Sequence, residues 1–177
     1  MLNIIAGSLS VGVTPSTASY ESIATVTVGS GGSSQIDFTS IPSTFTHLQI
    51  RCLWRTSSAA EIAVTYNATG SYYRHLLYGS GSGVAATSGA TNVFGGYYEP
   101  TANVFGTSII DVLDYTDTNK NKVTRVLYGF DANGSGYVGL NSGYSNITNA
   151  ISSITLSPTA GTFSQYSHFA LYGIKGS

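Results

Sequence analysis

The sequence predicts an all-β protein, a jelly-roll-like sandwich of two antiparallel sheets that follows an extended N-terminal arm. Short segments that alternate apolar and polar residues, or that are rich in β-branched residues, recur about every ten residues. Clusters of glycine, serine and asparagine separate these segments and favour turns. No segment places apolar residues at helical spacing between capping residues. About ten or eleven short strands without a helix indicate a sandwich or a barrel, and we favour the sandwich.

Residues 20–55 show this pattern most clearly. Residues 23–28 are rich in β-branched side chains, which suit a pleated sheet, and the glycines and serines of residues 29–34 predict a turn. Residues 35–39 alternate polar and apolar side chains, and so do residues 48–55, where leucine, isoleucine, cysteine and tryptophan take every second position. One face of this last strand is therefore expected to lie in the core and the other to face water.

The remaining chain continues in the same way. Residues 106–115 carry apolar side chains on both faces, which predicts the middle of the sandwich or a subunit interface. Asn133 and Gly134 predict a tight hairpin, because both tolerate positive φ. Residues 79–91, rich in glycine, serine and alanine, are predicted to form a long loop. Further strands are expected at residues 61–67, 72–78, 93–99, 123–131, 137–142, 151–157 and 166–174.

Residues 1–19 are predicted to form an extended arm, and residues 20–177 the sandwich domain. Glycines and a proline interrupt the arm, and its apolar spacing fits neither a helix nor a regular strand. Either the arm lies along its own sandwich as an edge strand or it binds a neighbouring subunit, and we favour the neighbour. The predicted interface residues of the arm are its large apolar side chains: Leu2, Ile4, Ile5, Leu9, Val11 and Val13.

The composition excludes several classes of partner. Only 8% of the residues are charged and the net charge is −1, so the chain lacks a basic surface that could bind nucleic acid by releasing counterions. No apolar run reaches the length of about 18 residues that a membrane-spanning helix needs. The single cysteine, Cys52, cannot form a disulfide within the chain, and its place in an alternating strand predicts a buried, unreactive thiol.

Motifs for catalysis and for cofactor binding are missing from the sequence. His47, His75 and His168 fall on three separate strands without a metal-binding spacing. Asp131, Asn133 and Ser135 resemble the start of a calcium loop, but serine stands at the position that needs a bidentate glutamate. A hairpin turn alone explains these residues, and we favour it over a calcium site. We therefore predict a protein that is not an enzyme and that needs neither cofactor nor metal.

Tyrosine is unusually frequent and occurs in two adjacent pairs. Neighbouring strand residues point to opposite faces, so one tyrosine of each pair is expected to face outward. Exposed tyrosines are effective contact residues that lose little conformational entropy on binding. They would serve a protein interface or stack against sugar rings, or else the tyrosines simply fill the core. The candidate ligand-binding residues are Tyr72, Tyr73, Tyr97 and Tyr98.

Three segments carry a resemblance to a known family. YESIATVTVGSGG at residues 20–32, SIPSTFTHLQIR at residues 40–51 and FALYGIKGS at residues 169–177 resemble small structural proteins of tailed-phage virions. The resemblance covers about a quarter of the chain and implies a β-sandwich on a virus particle, without any functional residues to carry over.

Two functions from different classes are therefore expected. The first is a capsid decoration or cement protein in the virion, which forms a homo-oligomer, with a trimer favoured, and whose arm anchors it to other capsid or tail proteins. The alternative is a tail-fibre or receptor-binding module whose tyrosine-rich loops recognise a host glycan.

Overall fold

The computed structural model describes residues 19–90, 92–98 and 100–176, and the arm with its six predicted interface residues lies outside this range. The described residues form twelve strands without a helix. The strands are β1 Tyr20–Thr27, β2 Ile36–Phe38, β3 His47–Trp54, β4 Ala60–Tyr66, β5 Tyr72–Gly79, β6 Val84–Gly89, β7 Val93–Tyr98, β8 Gly106–Leu113, β9 Lys122–Asp131, β10 Gly136–Ser145, β11 Ile154–Pro158 and β12 His168–Ile174. In this part of the chain no helix is long and apolar enough to cross a membrane.

The strands build two antiparallel sheets that pack face to face. The large sheet has the order β1-β12-β3-β8-β9-β10-β5-β6, and the small sheet has the order β2-β11-β4-β7. This confirms the predicted all-β class and the antiparallel sandwich. Strands β1 to β4 alternate between the two sheets, whereas the hairpins β5–β6 and β9–β10 both extend the large sheet. The jelly-roll topology stays a prediction.

The core lies between the sheets and follows from the alternation in the sequence. In β3, Leu48, Ile50, Cys52 and Trp54 are buried, while Leu53 on the opposite face is 44% exposed. Cys52 is thus the buried thiol that was predicted, and burial raises its pKa. The largest fully buried side chains are Trp54, Tyr66, Tyr98, Tyr115, Phe94, Lys122, Phe163 and Phe169.

The predicted loop over residues 79–91 is wrong in part. A tight turn with a hydrogen bond from the Ser80 amide to the Gly83 carbonyl connects β5 to a further strand, β6. Among the described residues this strand pairs only with β5, and it is exposed along nearly its whole length. Its side chains show no apolar alternation, so the sequence lacked the signal for a strand.

Strand β10 extends further than predicted, and two of its glycines pack closely against large side chains. A Cβ atom on Gly139 would lie 2.3 Å from the ring of Tyr128, and one on Gly143 would lie 2.8 Å from Val93.

The Asn133–Gly134 hairpin joining β9 to β10 is confirmed. Asn133 and Gly134 have φ of 57° and 112°, and the Ala132 amide donates to the Ser135 carbonyl.

A bulge in β7 fixes the position of the tyrosines that follow it. The register of β7 with β4 shifts at Gly95, and Gly96 adopts a φ of +145°. A Cβ atom at Gly96 would lie 2.8 Å from the indole of Trp54, so glycine lets this backbone approach the core. Beyond the bulge, Tyr98 is buried against Trp54, and Tyr97 is only half-buried at the margin of the sandwich.

Candidate binding surfaces

Two of the four candidate tyrosines have structural roles. Tyr72 and Tyr98 are both buried. The Tyr72 hydroxyl donates to the Thr69 carbonyl at 2.6 Å and accepts the Tyr66 amide at 2.8 Å, while the Tyr98 hydroxyl donates to the Val104 carbonyl at 2.7 Å. Both side chains hold loops against the core. They present no open surface to a ligand.

The other two candidates lie on opposite sides of the large sheet. Tyr73 is 49% exposed on the outer face, and its ring centroid lies 5.8 Å from that of Tyr144. Tyr97 contacts Tyr137 between the two sheets, with the centroids 5.5 Å apart and the rings nearly perpendicular. In each pair the more exposed tyrosine is therefore the one that reaches a candidate surface. The structure does not bring the four together.

Tyr97 lines a cavity that we call the tyrosine pocket. Strand β7, at the edge of the small sheet, lies across β9 and β10. It leaves the inner side of the hairpins β5–β6 and β9–β10 partly open. The resulting cavity has a volume of about 310 Å³. Its lining residues come from β4, β5, β6, β7, β9 and β10 and are Glu61, Leu76, Tyr78, Thr87, Phe94, Tyr97, Tyr128 and Tyr137.

An ion pair fixes the charged group of the pocket. Arg74 donates to both carboxylate oxygens of Glu61, at 2.7 and 3.1 Å, and to the Asn92 side-chain oxygen at 3.0 Å. The guanidinium also lies 4.9 Å from the ring centre of Phe94. A two-pronged arginine–carboxylate pair of this kind has a fixed geometry. Glu61 thus lies in the pocket wall. The ion pair fixes the position of its carboxylate, and Arg74 balances its charge.

The tyrosine hydroxyls add polar groups to these aromatic walls. Within the described part of the chain, the hydroxyls of Tyr78, Tyr128 and Tyr137 make no hydrogen bond to another protein group. The rings nevertheless pack together, with centroids 5.9 Å apart for Tyr78 and Tyr137, so their positions are fixed. Fixed rings whose hydroxyls have no protein partner can donate and accept hydrogen bonds with a ligand.

The pKa of Tyr128 reflects this environment. Burial, together with the nearby Tyr78, Glu61 and Tyr137, raises the pKa of Tyr128 to about 12, whereas Arg74 opposes the shift. The polar groups of the pocket therefore lie close enough for the charge of one to change the pKa of another. Burial likewise raises the pKa of Tyr66, whose hydroxyl bonds to Thr124 in the core.

Stability should fall when these tyrosines ionise. Between pH 10 and about 12 the unfolded chain loses the Tyr128 proton while the folded chain keeps it, so the contribution of Tyr128 is complete below pH 10 and disappears as the pH rises through its folded pKa. We expect the free energy of unfolding, measured by urea denaturation, to decline over this range. Tyr128→Phe should make the decline shallower, and an unchanged slope would contradict the assignment.

The second candidate surface lies on the outer face of the large sheet. Five apolar residues face one another in register across five adjacent strands, and we call them the apolar row. Ile109 lies opposite Leu127, Leu127 opposite Leu140, Leu140 opposite Leu77, and Leu77 opposite Ala86. The three leucines are about half exposed, and the row lies in an open groove of about 1070 Å³.

A polar row runs beside the apolar row. Asp111, Arg125, Ser142 and His75 face one another across β8, β9, β10 and β5. Arg125 approaches Asp111 to 3.7 Å, and Asp111 accepts a hydrogen bond from Gln49 at 2.8 Å. The apolar row therefore has a charge-balanced polar row along one side, and protein interfaces commonly combine an apolar centre with polar surroundings.

The predicted alternatives for metal binding have local explanations. The Asp131 carboxylate accepts the Asn133 amide at 2.8 Å and thereby closes the hairpin turn. His47 accepts the Asp114 amide at 3.0 Å, and His168 bonds to Thr27 at the other end of the sheet. Among residues 19–90, 92–98 and 100–176, no three histidine, cysteine, aspartate or glutamate side chains group as a metal site would require.

Sequence reasoning missed most of the tyrosine pocket. Tyr78, Tyr128 and Tyr137 each stand in a segment that was predicted to be a strand, but their meeting depends on which strands pair. The high frequency of tyrosine in the sequence was the one available signal for this pocket.

Comparison with known proteins does not place the chain. Searches with family models, among curated proteins and among solved structures found no significant match. The resemblance to tailed-phage virion proteins therefore stays a prediction from three segments of the sequence.

Proposed function

We propose that this protein is a non-enzymatic structural component of a tailed-phage virion, a capsid decoration or cement protein that assembles with copies of itself. In this proposal the apolar row of one subunit contacts the outer sheet face of a second copy, and the arm anchors the oligomer to a neighbouring capsid or tail protein. A trimer is the expected stoichiometry. The observation that carries the proposal is the apolar row, because it is exposed and continuous across five strands.

The physics of the outer face favours a second copy of the chain as its partner. Contiguous exposed leucines are rare on the surface of a monomer and mark sites of association. With a net charge of −1, two copies repel each other little. In a trimer the contact would be heterologous, so the apolar row of each subunit would meet a different part of the outer sheet face of the next copy.

The position of the two added hairpins also supports this assignment. Without β5–β6 and β9–β10, the strand order reduces to two four-stranded sheets, β1-β12-β3-β8 and β2-β11-β4-β7, which would suit a jelly roll. Four of the five members of the apolar row lie on these hairpins. We infer that the hairpins are additions to a jelly-roll core that supply its assembly surface.

The state of association in solution tests the proposal. We expect the wild-type protein to sediment as an oligomer and Leu127→Lys to shift it towards monomer, because a charge in the middle of the apolar row would have to be buried without a partner. Sedimentation velocity and native mass spectrometry over a range of concentrations measure this shift.

Leu53→Lys is the matched control. Leu53 has almost the same exposure as Leu127, 44% against 48%, and lies on the same sheet face, but it stands opposite Thr107, outside the apolar row. This variant should associate like the wild type. Removal of residues 1–18 separates association through the arm from association through the row. A wild-type protein that stays monomeric at its highest soluble concentration would overturn the proposal.

The tyrosine pocket favours a second candidate function, the recognition of a host glycan. Aromatic walls with a few fixed polar groups are typical of small-ligand sites. A receptor-binding module would need such a site on a surface that assembly leaves free. The alternation of β5, β9 and β10 places the pocket and the apolar row on opposite faces of the same hairpins, so that both functions can coexist.

A further inference from the structure

We propose that the tyrosine pocket binds one pyranose ring, or a disaccharide unit, of a neutral saccharide. The inference rests on the second candidate function and gives it a site and a ligand class. The site differs from the loops that the sequence suggested, because it is formed on the inner sides of the added hairpins by Tyr78, Tyr97, Tyr128 and Tyr137, together with Glu61.

The arrangement of the rings suits a pyranose. Tyr97 and Tyr137 stand at 88° to each other, and Tyr78 and Tyr137 at 58°, so the pocket offers aromatic faces in more than one direction. A pyranose has an apolar face of C–H groups, which packs against an aromatic face, and an edge of hydroxyls. One ring can therefore form the floor of the site while a second forms its side.

The polar groups fit the hydroxyl edge of a sugar. The carboxylate of Glu61 accepts hydrogen bonds, and the hydroxyls of Tyr78, Tyr128 and Tyr137 can both donate and accept. None of these three hydroxyls bonds to another group in the described residues, so their hydrogen bonds to a ligand would replace hydrogen bonds to water.

The charge and size of the pocket narrow the ligand class. Arg74 does not line the pocket, and its charge is balanced by the two-pronged ion pair with Glu61, so the pocket offers no net positive charge to attract a carboxylate or sulfate on a sugar. The volume of about 310 Å³ is at the small end for ligand sites, which excludes a long oligosaccharide buried along its whole length.

A titration observed on the protein tests the inference. The full chain, with ¹³C-labelled tyrosines, is titrated with the methyl glycosides of glucose, galactose, mannose and N-acetylglucosamine, and with N-acetylneuraminic acid as the acidic comparison. We expect at least one neutral glycoside to shift the ring signals of Tyr78, Tyr97 and Tyr137 to saturation. Tyr97→Ala should weaken binding about tenfold by removing one stacking face.

Two controls keep the result interpretable. Tyr73→Ala removes an exposed tyrosine from the outer face and should leave the affinity unchanged. Tyr97→Phe keeps the ring, preserves the packing and should weaken binding less than Tyr97→Ala. The inference fails if no neutral glycoside shifts the pocket tyrosines, or if the acidic sugar alone does so.

The oligomeric state, measured on the same samples, separates this inference from the structural proposal. If the protein associates through the apolar row but binds none of the four glycosides, the structural proposal stands and the saccharide site is wrong. If the protein is a monomer that binds a glycoside, the saccharide site stands and the structural proposal is wrong.

Discussion

Trp54→Ala should lower the free energy of unfolding by about 3–5 kcal/mol, which is a large share of the stability of a domain of this size. Trp54 is fully buried, packs edge-on against Tyr98 at 5.6 Å and donates its indole N–H to Ser108 at 3.0 Å. It joins the large sheet to β7 of the small sheet, and truncation would leave a cavity between them. Urea denaturation followed by circular dichroism measures the loss, since the variant lacks the one tryptophan and with it tryptophan fluorescence.

The neighbouring residue provides the matched control. Leu53→Ala truncates an apolar side chain next in sequence but on the exposed face of β3, and should change the stability by at most about 0.5 kcal/mol. Ser108→Ala isolates the hydrogen bond and should cost about 1–3 kcal/mol by leaving the indole N–H without an acceptor. Equal losses for Trp54→Ala and Leu53→Ala would contradict the assigned core.

Lys122→Met should destabilise the protein by about 3 kcal/mol, although it replaces a charged side chain by an apolar one of similar length. Lys122 is completely buried, and its ammonium group donates to the carbonyls of Asp117, Lys120 and Thr148. These bonds hold the β8–β9 turn against the β10–β11 loop. Methionine would fill the space but leave three carbonyl groups without their donor.

Lys120→Met is the comparison for this second variant. Lys120 belongs to the same turn, and its side chain is 59% exposed while it pairs with Asp114 and Asp117. Exposed ion pairs contribute little to stability, so this variant should denature close to the wild type in urea. If the two lysine variants lose similar stability, Lys122 does not have the structural role inferred for it.

The contrast between the two lysines shows where sequence reasoning ends. The segment TDTNKNK at residues 116–122 is polar, as is typical of a turn, and it leads from β8 to the start of β9. Nothing in its residue types distinguishes the exposed lysine from the buried one, because the distinction depends on the Thr148 carbonyl, 26 positions further along the chain. The predicted pair Tyr72 and Tyr73 was separated in the same way, since strand alternation fixed their opposite directions but not which one would face the core.

The edge strand β6 is an element that the sequence did not predict at all. Its two alanines and its glycine disfavour a strand, and its side chains do not alternate in polarity, so the segment resembles a loop. The strand exists because β5 offers it unpaired backbone groups, which satisfy their hydrogen bonds by pairing.

The sequence by itself determined the all-β class, the direction of the side chains in the strongly alternating strands, the buried Cys52 and the turn at Asn133 and Gly134. These features depend on local periodicity and on backbone conformations that one or two residues dictate. Only the tertiary structure decided that Ile109, Leu127, Leu140, Leu77 and Ala86 form one row and that tyrosines from four strands share one pocket. Strand register and sheet order bring those residues together, and both are set by long-range pairing that no local pattern encodes.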